Sequence, residues 1–265
     1  MGRNAEEVIP LIGLVMSADN YLRSLLLKYQ VNTAAARSVA EQQIVPILER
    51  WGGQHLLDIR LSGSTAKGTA NAGANDMDLF IAIRSTTPAT LREIYESLYA
   101  LAATRWQTRK QNVSVGVQLA GYHFDLVPGR LQEGYRNWYS LWRNKAQTWT
   151  QTNIDLQVQA VANSGRVEEI RILKLWRTLA KLDFPSFALE LATLEALQGR
   201  RIGDLANNVS TALSWISTNI GSARLIDPAN TNNVVSDDLT PAQRGLIAGA
   251  AANARAQPNY RNFVW

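Results

Sequence analysis

The chain has 265 residues, 46% hydrophobic and 18% charged, the make-up of a globular protein that can bury a core in one domain or two closely packed lobes. Its 27 lysines and arginines against 22 acids leave a formal charge of +5, which suits an anionic partner, nucleic acid or nucleoside triphosphate, without requiring one. The lack of cysteine excludes disulfides and thiolate metal sites, and His55 and His123 alone argue against zinc. No apolar run reaches the roughly 20 residues of a membrane span, and nothing reads as a signal peptide, so a cytoplasmic protein is expected.

In chain order, residues 7–30 and 33–50 carry apolar side chains at helical spacing, the second stretch with a kink expected at Pro46. LLDIRLSG (56–63) alternates, with Leu57, Ile59 and Leu61 on one face, and reads as a half-buried strand. MDLFIAI (77–83) is a more fully apolar strand. Thr87-Pro88 gives an N-cap followed by proline at the first helical position, starting a helix that runs to about Trp106. VSVGVQLA (113–120) and YHFDLVP (122–128) are two short strands joined around Gly121. Beyond residue 150 helices are expected at 166–182, 187–198, 204–220 and 241–256, the last opened by the capping-box spacing of Thr240 and Gln243. The order is α-β-α-β-β followed by an all-helical half, with no repeat and no low-complexity linker.

Chemistry concentrates in LSGSTAKGTANAGANDMDLFIAI (61–83). Asp76 and Asp78 are two positions apart at the mouth of a strand and therefore point to the same face. Their charges repel unless a cation lies between them, and oxygen ligands of this kind suit a hard divalent ion. Asp125, set in the apolar strand 122–128, is the candidate third carboxylate. Three such groups would hold two Mg²⁺ ions, or Mn²⁺ in their place, one activating an attacking hydroxyl and the other steadying a leaving phosphate. A turn at Gly63-Ser64 would offer backbone N–H groups and a hydroxyl to a phosphate chain, and Lys67, Gly68 and Thr69 extend that surface. GSTAKGT is not a P-loop, because Gly68 is followed by Thr-Ala and the lysine precedes the glycine. Taken singly, Asp125 reads equally as a buried carboxylate bonded to backbone amides, and Ser64 as a turn residue.

GS-T-A-KGT, D-M-D and F-D-L-V-P together resemble the nucleotidyltransferase superfamily typified by DNA polymerase β. Within it the likeness is to oligoadenylate synthases, cyclic GMP-AMP synthase and the bacterial cyclic-oligonucleotide synthases of antiphage (CBASS-type) signalling, the CD-NTases; archaeal CCA-adding enzymes are a step further off. TWTQTN (148–153), IRILKLWR (170–177), FPSFALELATLEAL (184–197) and LIDPANTNNVVSDDL (225–239) extend it over roughly residues 55–240. The resemblance implies an α/β fold: a polymerase β-like core of mixed, twisted sheet with helices in residues 1–150, and a C-terminal helical lobe in 151–265 closing the nucleotide cleft. It implies that Asp76, Asp78 and Asp125 are catalytic and hold the metals. Gly63 and Ser64 would cradle the donor triphosphate, with Lys67 and Thr69 beside them and Lys174 and Ser186 contributed by the helical half. Spacing alone leaves open a solvated helix position for Lys174 and an N-cap of the helix at 187–198 for Ser186.

The segment 105–150 interleaves Arg105, Arg109, Lys110, Arg130, Arg136, Arg143 and Lys145 with Trp106, Tyr135, Trp138, Tyr139, Trp142 and Trp149. It reads as a helix with inward aromatics and a solvated basic face, or as the lining of an acceptor pocket or RNA-end site. The activity implied is Mg²⁺-dependent joining of nucleoside triphosphates into a short cyclic oligonucleotide. The alternatives are linear oligonucleotide synthesis, template-independent nucleotide addition to RNA 3′ ends, and nucleic-acid binding on a catalytically silent scaffold.

Overall fold

The computed structural model describes residues 17–73 and 76–264. The part of the expected first helix that falls on residues 7–16 lies outside them. Helix α1 is Ala18–Lys28, capped by Ser17, whose hydroxyl accepts from the Asn20 amide. The next helical stretch is α2 (Ala34–Val39), a π-helical turn at Ala40–Ile44 and α3 (Val45–Gly52). The irregularity expected at Pro46 is thus the turn ahead of it. Pro46 has no N–H to give, and the widened turn leaves it at the start of α3, where none is needed.

Strand β1 is Leu56–Leu61. Its alternation is interrupted by a bulge between Leu56 and Asp58, so Leu56, Ile59 and Leu61 pack inward while Leu57 is 39% exposed, contrary to the sequence reading. Helix α4 (Gly63–Lys67) follows in place of a simple turn, then β2 (Asp76–Ile83) and α5 (Leu91–Ala103). The cap of α5 is Thr90, three residues later than expected. Thr90 and Glu93 form a reciprocal capping box, which satisfies two amides where the Thr87-Pro88 start would satisfy one.

Strands β3 (Gln107–Lys110), β4 (Val115–Leu119) and β5 (Tyr122–Leu131) come next, β4 and β5 joined through Ala120 and Gly121, both at positive φ as a two-residue hairpin turn demands. The basic, aromatic segment then continues as β6 (Tyr139–Arg143) and β7 (Thr148–Thr152), so its reading as a helix is corrected to strands. Tyr139-Ser-Leu141 has the strand period, with Tyr139 and Leu141 buried and Ser140 between them half-buried. Helix α6 (Ile154–Ala162), capped by Asn153, was not apparent from the sequence. Helices α7 (Val167–Leu179), α8 (Ser186–Ala196) and α9 (Leu205–Asn219) follow. A hairpin of β8 (Ile226–Asp227) and β9 (Asn230–Val234) interrupts the half expected to be all helical, and α10 (Pro241–Arg255) starts at the Thr240–Gln243 capping box.

The seven-stranded sheet runs β1-β2-β5-β4-β3, with β6 on β5 and β7 on β6; β2 and β5 are parallel and the other pairs antiparallel. Met77, Leu79, Ile81 and Ile83 face a core shared with Ile44, Leu48 and the α5 residues Ile94, Tyr95 and Leu98. The opposite face of β2 carries Phe80 and Ala82, which pack with Tyr139, Leu141 and Ile154. A separate core joins α7–α10 and takes in Leu22, Leu25 and Leu26 of α1. No helix among the described residues is long and apolar enough to cross a membrane.

Candidate active site

Asp76 and Asp78 occupy the first turn of β2 on the face that continues as Phe80 and Ala82. The parallel register of β2 and β5 sets Asp78 directly beside Asp125, and Asp76 beside His123. The three aspartates therefore share one face at one end of two neighbouring strands. Burial is the main cause that lifts the Asp78 carboxyl from 3.8 to about 6, with the charges of Asp125 and Asp76 adding and Lys67 and Lys174 opposing. Asp125 is also raised, first by burial and then by Asp76, against the pull of Arg109. Gln111 Nε2 donates to Asp125 Oδ1 at 2.6 Å. Among the described residues no group of three or more histidine, aspartate or glutamate side chains is assembled tightly enough to hold a metal ion.

The connection from β1 to α4 wraps the Asp78 carboxylate. The Ser62 amide donates to the Asp78 carbonyl at 2.9 Å, which brings Gly63 against the aspartate. Gly63 has φ +59, and a Cβ built there would lie 1.7 Å from Asp78 Oδ2, so glycine is required both by the backbone and by the space the carboxylate fills. Gly68 ends α4 in the left-handed conformation, and the Thr69 amide folds back to the Ser64 carbonyl at 2.9 Å.

A cavity of about 490 Å³ lies over this end of the sheet. Gly63, Ser64, Lys67, Thr69, Asp76, Asp78, Asp125, Lys174 and Ser186 all line it, so every sequence-predicted site residue meets in one place. Lys174 is buried, unlike a solvated helix lysine: its Nζ donates to Glu190 Oε1 at 2.6 Å and to Thr69 Oγ1 at 2.8 Å. Burial lowers its pKa, with Glu190 opposing. Ser186 is the first residue of α8, with Pro185 at the cap, and its hydroxyl accepts from Arg177 Nη1 at 2.8 Å.

Sequence reasoning missed Glu190, Arg177 and Gln111. Glu190 lies four residues after Ser186 and so on the same side of α8; with Ala188, Leu189 and Leu191 around it, a charge there is buried, and that is the signal that could have found it. Arg177 is three residues after Lys174 on α7 and shares the same wall of the cavity. A second cavity of about 260 Å³, lined among others by Gln107, Arg109, Gln118 and His123, reaches Asp125 from the β3–β4 side. Of the aromatics in 105–150, Trp106 and Trp142 pack on the core of one sheet face and Tyr139 on that of the other, while Tyr135 and Trp149 are exposed.

Residues 42–139 match the nucleotidyltransferase domain family. A curated relative, the cyclic AMP-AMP-AMP synthase of Escherichia coli (strain MS 115-1), is 26% identical over 235 residues, 73% of this chain and 73% of its own. Among solved structures, E. coli MS115-1 CdnC with ATP superposes with a TM-score of 0.70 at 22% identity over 93% of this chain and 95% of that one. The Bradyrhizobium diazoefficiens CD-NTase CdnG in complex with GTP does so with a TM-score of 0.73 at 14% identity over 90% of each. Paired aspartates beside a glycine-held loop stand inside the segment that matches a nucleotidyltransferase domain, and the chain as a whole has the fold of the CD-NTases.

Proposed function

We propose that the protein joins nucleoside triphosphates into a short cyclic oligonucleotide, as a cytoplasmic signal synthase of the antiphage (CBASS) type. The observation that carries this reading is the meeting of two cavities at Asp125: the larger bears the basic wall and the smaller opens from the sheet edge. That arrangement suits a donor and an acceptor nucleotide approaching one reacting phosphate from two sides. The curated relative makes a cyclic trinucleotide of AMP, and the solved neighbours hold ATP and GTP, which supports triphosphate substrates here.

In this mechanism Ser64 and the amides of α4 bind the donor phosphates, with Lys67, Lys174 and Ser186 on the facing wall. Asp76, Asp78 and Asp125 would hold two divalent cations, Mg²⁺ or Mn²⁺. Their fit rests on the donor set, all hard oxygens, and on the partial burial of Asp78 and Asp125 beside like charges, Asp125 raising the proton affinity of Asp78 and Asp76 that of Asp125. Bound cations supply charge neutralisation at the phosphate and acidify the attacking hydroxyl. Asp125 borders both cavities and so stands where an acceptor ribose hydroxyl would meet the donor α-phosphate. Gln111 fixes the rotation of its carboxylate. A linear product rebound with its own triphosphate as donor closes the ring by the same step.

The test is mass analysis of the products formed by the purified protein from all four triphosphates with Mg²⁺, before and after phosphatase. A small product that resists phosphatase is expected, since a ring has no terminal phosphate. Products that phosphatase shortens, or label appearing only on added RNA, reject cyclisation in favour of linear synthesis or RNA tailing.

A further inference from the structure

Glu190 is 1% exposed at the boundary of the two halves, and both of its carboxylate oxygens are engaged. Oε2 accepts from Lys67 Nζ at 2.9 Å, and Oε1 accepts from Lys174 Nζ at 2.6 Å and from Thr69 Oγ1 at 2.9 Å. Thr69 in turn accepts from Lys174 at 2.8 Å, which closes the ring of contacts. Lys67 and Thr69 follow β1 in the sheet half, whereas Lys174 and Glu190 belong to α7 and α8. The Lys67 ammonium also lies 4.3 Å over the Phe187 ring. A carboxylate buried this deeply is costly unless compensated, and here two cations compensate one anion, leaving a net positive charge toward the cavity.

We infer that Glu190 is a positioning residue of the triphosphate site: its carboxylate aims the Lys67 and Lys174 ammoniums into the cavity and ties its two walls together. The inference rests on the reading of that cavity as a triphosphate site. Each ammonium has three donors, and the contacts to Glu190, Thr69 and Phe187 fix its direction while leaving donor capacity for phosphate oxygens. Burial alone would raise the Glu190 carboxyl, yet Lys67 and Lys174 outweigh it and hold it low, so the anion persists. Removing that charge leaves two neighbouring ammoniums to repel each other in a site where burial already favours the neutral form of Lys174. If Glu190 only stitched the halves together, its loss would lower stability and leave the recognition of phosphates untouched.

The experiment compares Glu190→Gln with the unaltered full chain, titrating each with a non-hydrolysable ATP analogue and with AMP in Mg²⁺ at pH 7 and pH 9. The expected result is a loss of at least about tenfold in the variant's preference for the triphosphate, the scale of a lost charge-assisted contact. AMP binding should be unchanged. The loss should grow at pH 9, where a lysine deprived of its counter-charge gives up its proton. The charged groups acting on the cluster are Lys67 on α4, Arg177 beside Lys174 on α7, and Asp78 on β2. An unaltered chain that does not distinguish the analogue from AMP rejects the triphosphate site itself. An unaltered chain that does, with a variant keeping the full preference at both pH values, overturns the role of Glu190. Should Glu190→Gln not fold, Glu190→Asp keeps the charge with a shorter reach and should raise the KM for triphosphate at least about threefold with kcat unchanged. An unchanged KM there overturns the inference as well.

Discussion

Gly63→Ala isolates the contact that holds Asp78 in place. The new side chain meets two penalties. At φ +59 a residue with a Cβ costs about 1–2 kcal/mol, which for a chain of this size lowers Tm by roughly 2–8 °C. The added Cβ would also start 1.7 Å from Asp78 Oδ2, so the carboxylate must retreat by more than about 1 Å, a displacement of the kind that costs about a hundredfold in rate. Gly199→Ala supplies the control: its φ is +71, so it bears the same backbone penalty, but a Cβ there has nothing within 4 Å. Thermal melts and initial rates of product formation from saturating triphosphate with Mg²⁺ separate the two effects. Both variants should lose a few degrees, and only Gly63→Ala should lose activity. Full activity in Gly63→Ala would refute the argument that the missing side chain is room kept for the carboxylate.

Asp76→Asn, Asp78→Asn and Asp125→Asn should each keep the fold and lower the rate of product formation at least about a hundredfold, because several kcal/mol of transition-state stabilisation leave with the charge; a variant near full activity removes its residue from the site. Asp78→Asn should also stabilise the protein in the absence of divalent cations. The folded carboxyl titrates near 6 and the unfolded one near 3.8, so the folded state holds the extra proton and stability falls as pH rises through that window. Above it the penalty is roughly 3 kcal/mol. Melts in chelator should show Asp78→Asn more stable than the unaltered chain at pH 7.5 and equal to it near pH 3.5, and equal Tm values at both would refute it.

What could be read from the sequence followed from local rules. The facing of Asp76 and Asp78 needs only the strand period, and the partnership with Asp125 needs only that two apolar strands pair; the register that sets Asp78 beside Asp125 follows no local signal. The capping box at Thr240 is a four-residue pattern, and so is the one at Thr90, which the adjacent Thr87-Pro88 obscured. What was lost depends on distant partners. Tyr139–Arg143 is a strand because β5 and β7 flank it, although its aromatic and basic composition also suits an amphipathic helix. The bulge that turns Leu57 outward is a mismatch in pairing with β2, which β1 alone does not specify. Spacing leaves a solvated position open for Lys174, because the carboxylate that pairs with it in the interior is sixteen residues away on another helix.

The division of charge across the cleft has a consequence for how ligands enter it. The sheet wall carries Asp76, Asp78 and Asp125, and burial first, then the neighbouring carboxylates, favour the protonated forms of Asp78 and Asp125. The helical wall carries Lys174 and Arg177, with Lys67 beside them, and burial disfavours the charge on both Lys174 and Arg177. Each wall is therefore electrostatically unsatisfied alone. A triphosphate arriving without a cation would ease the basic wall and be repelled by the acidic one, and a cation arriving alone would do the reverse. Together they meet both walls and each other, so each raises the affinity of the other by the same factor, as linkage requires. Glu190 moderates this balance from the basic side by cancelling one positive charge, which keeps the wall attractive to phosphate while separating the two buried ammoniums of Lys67 and Lys174 that would otherwise repel each other.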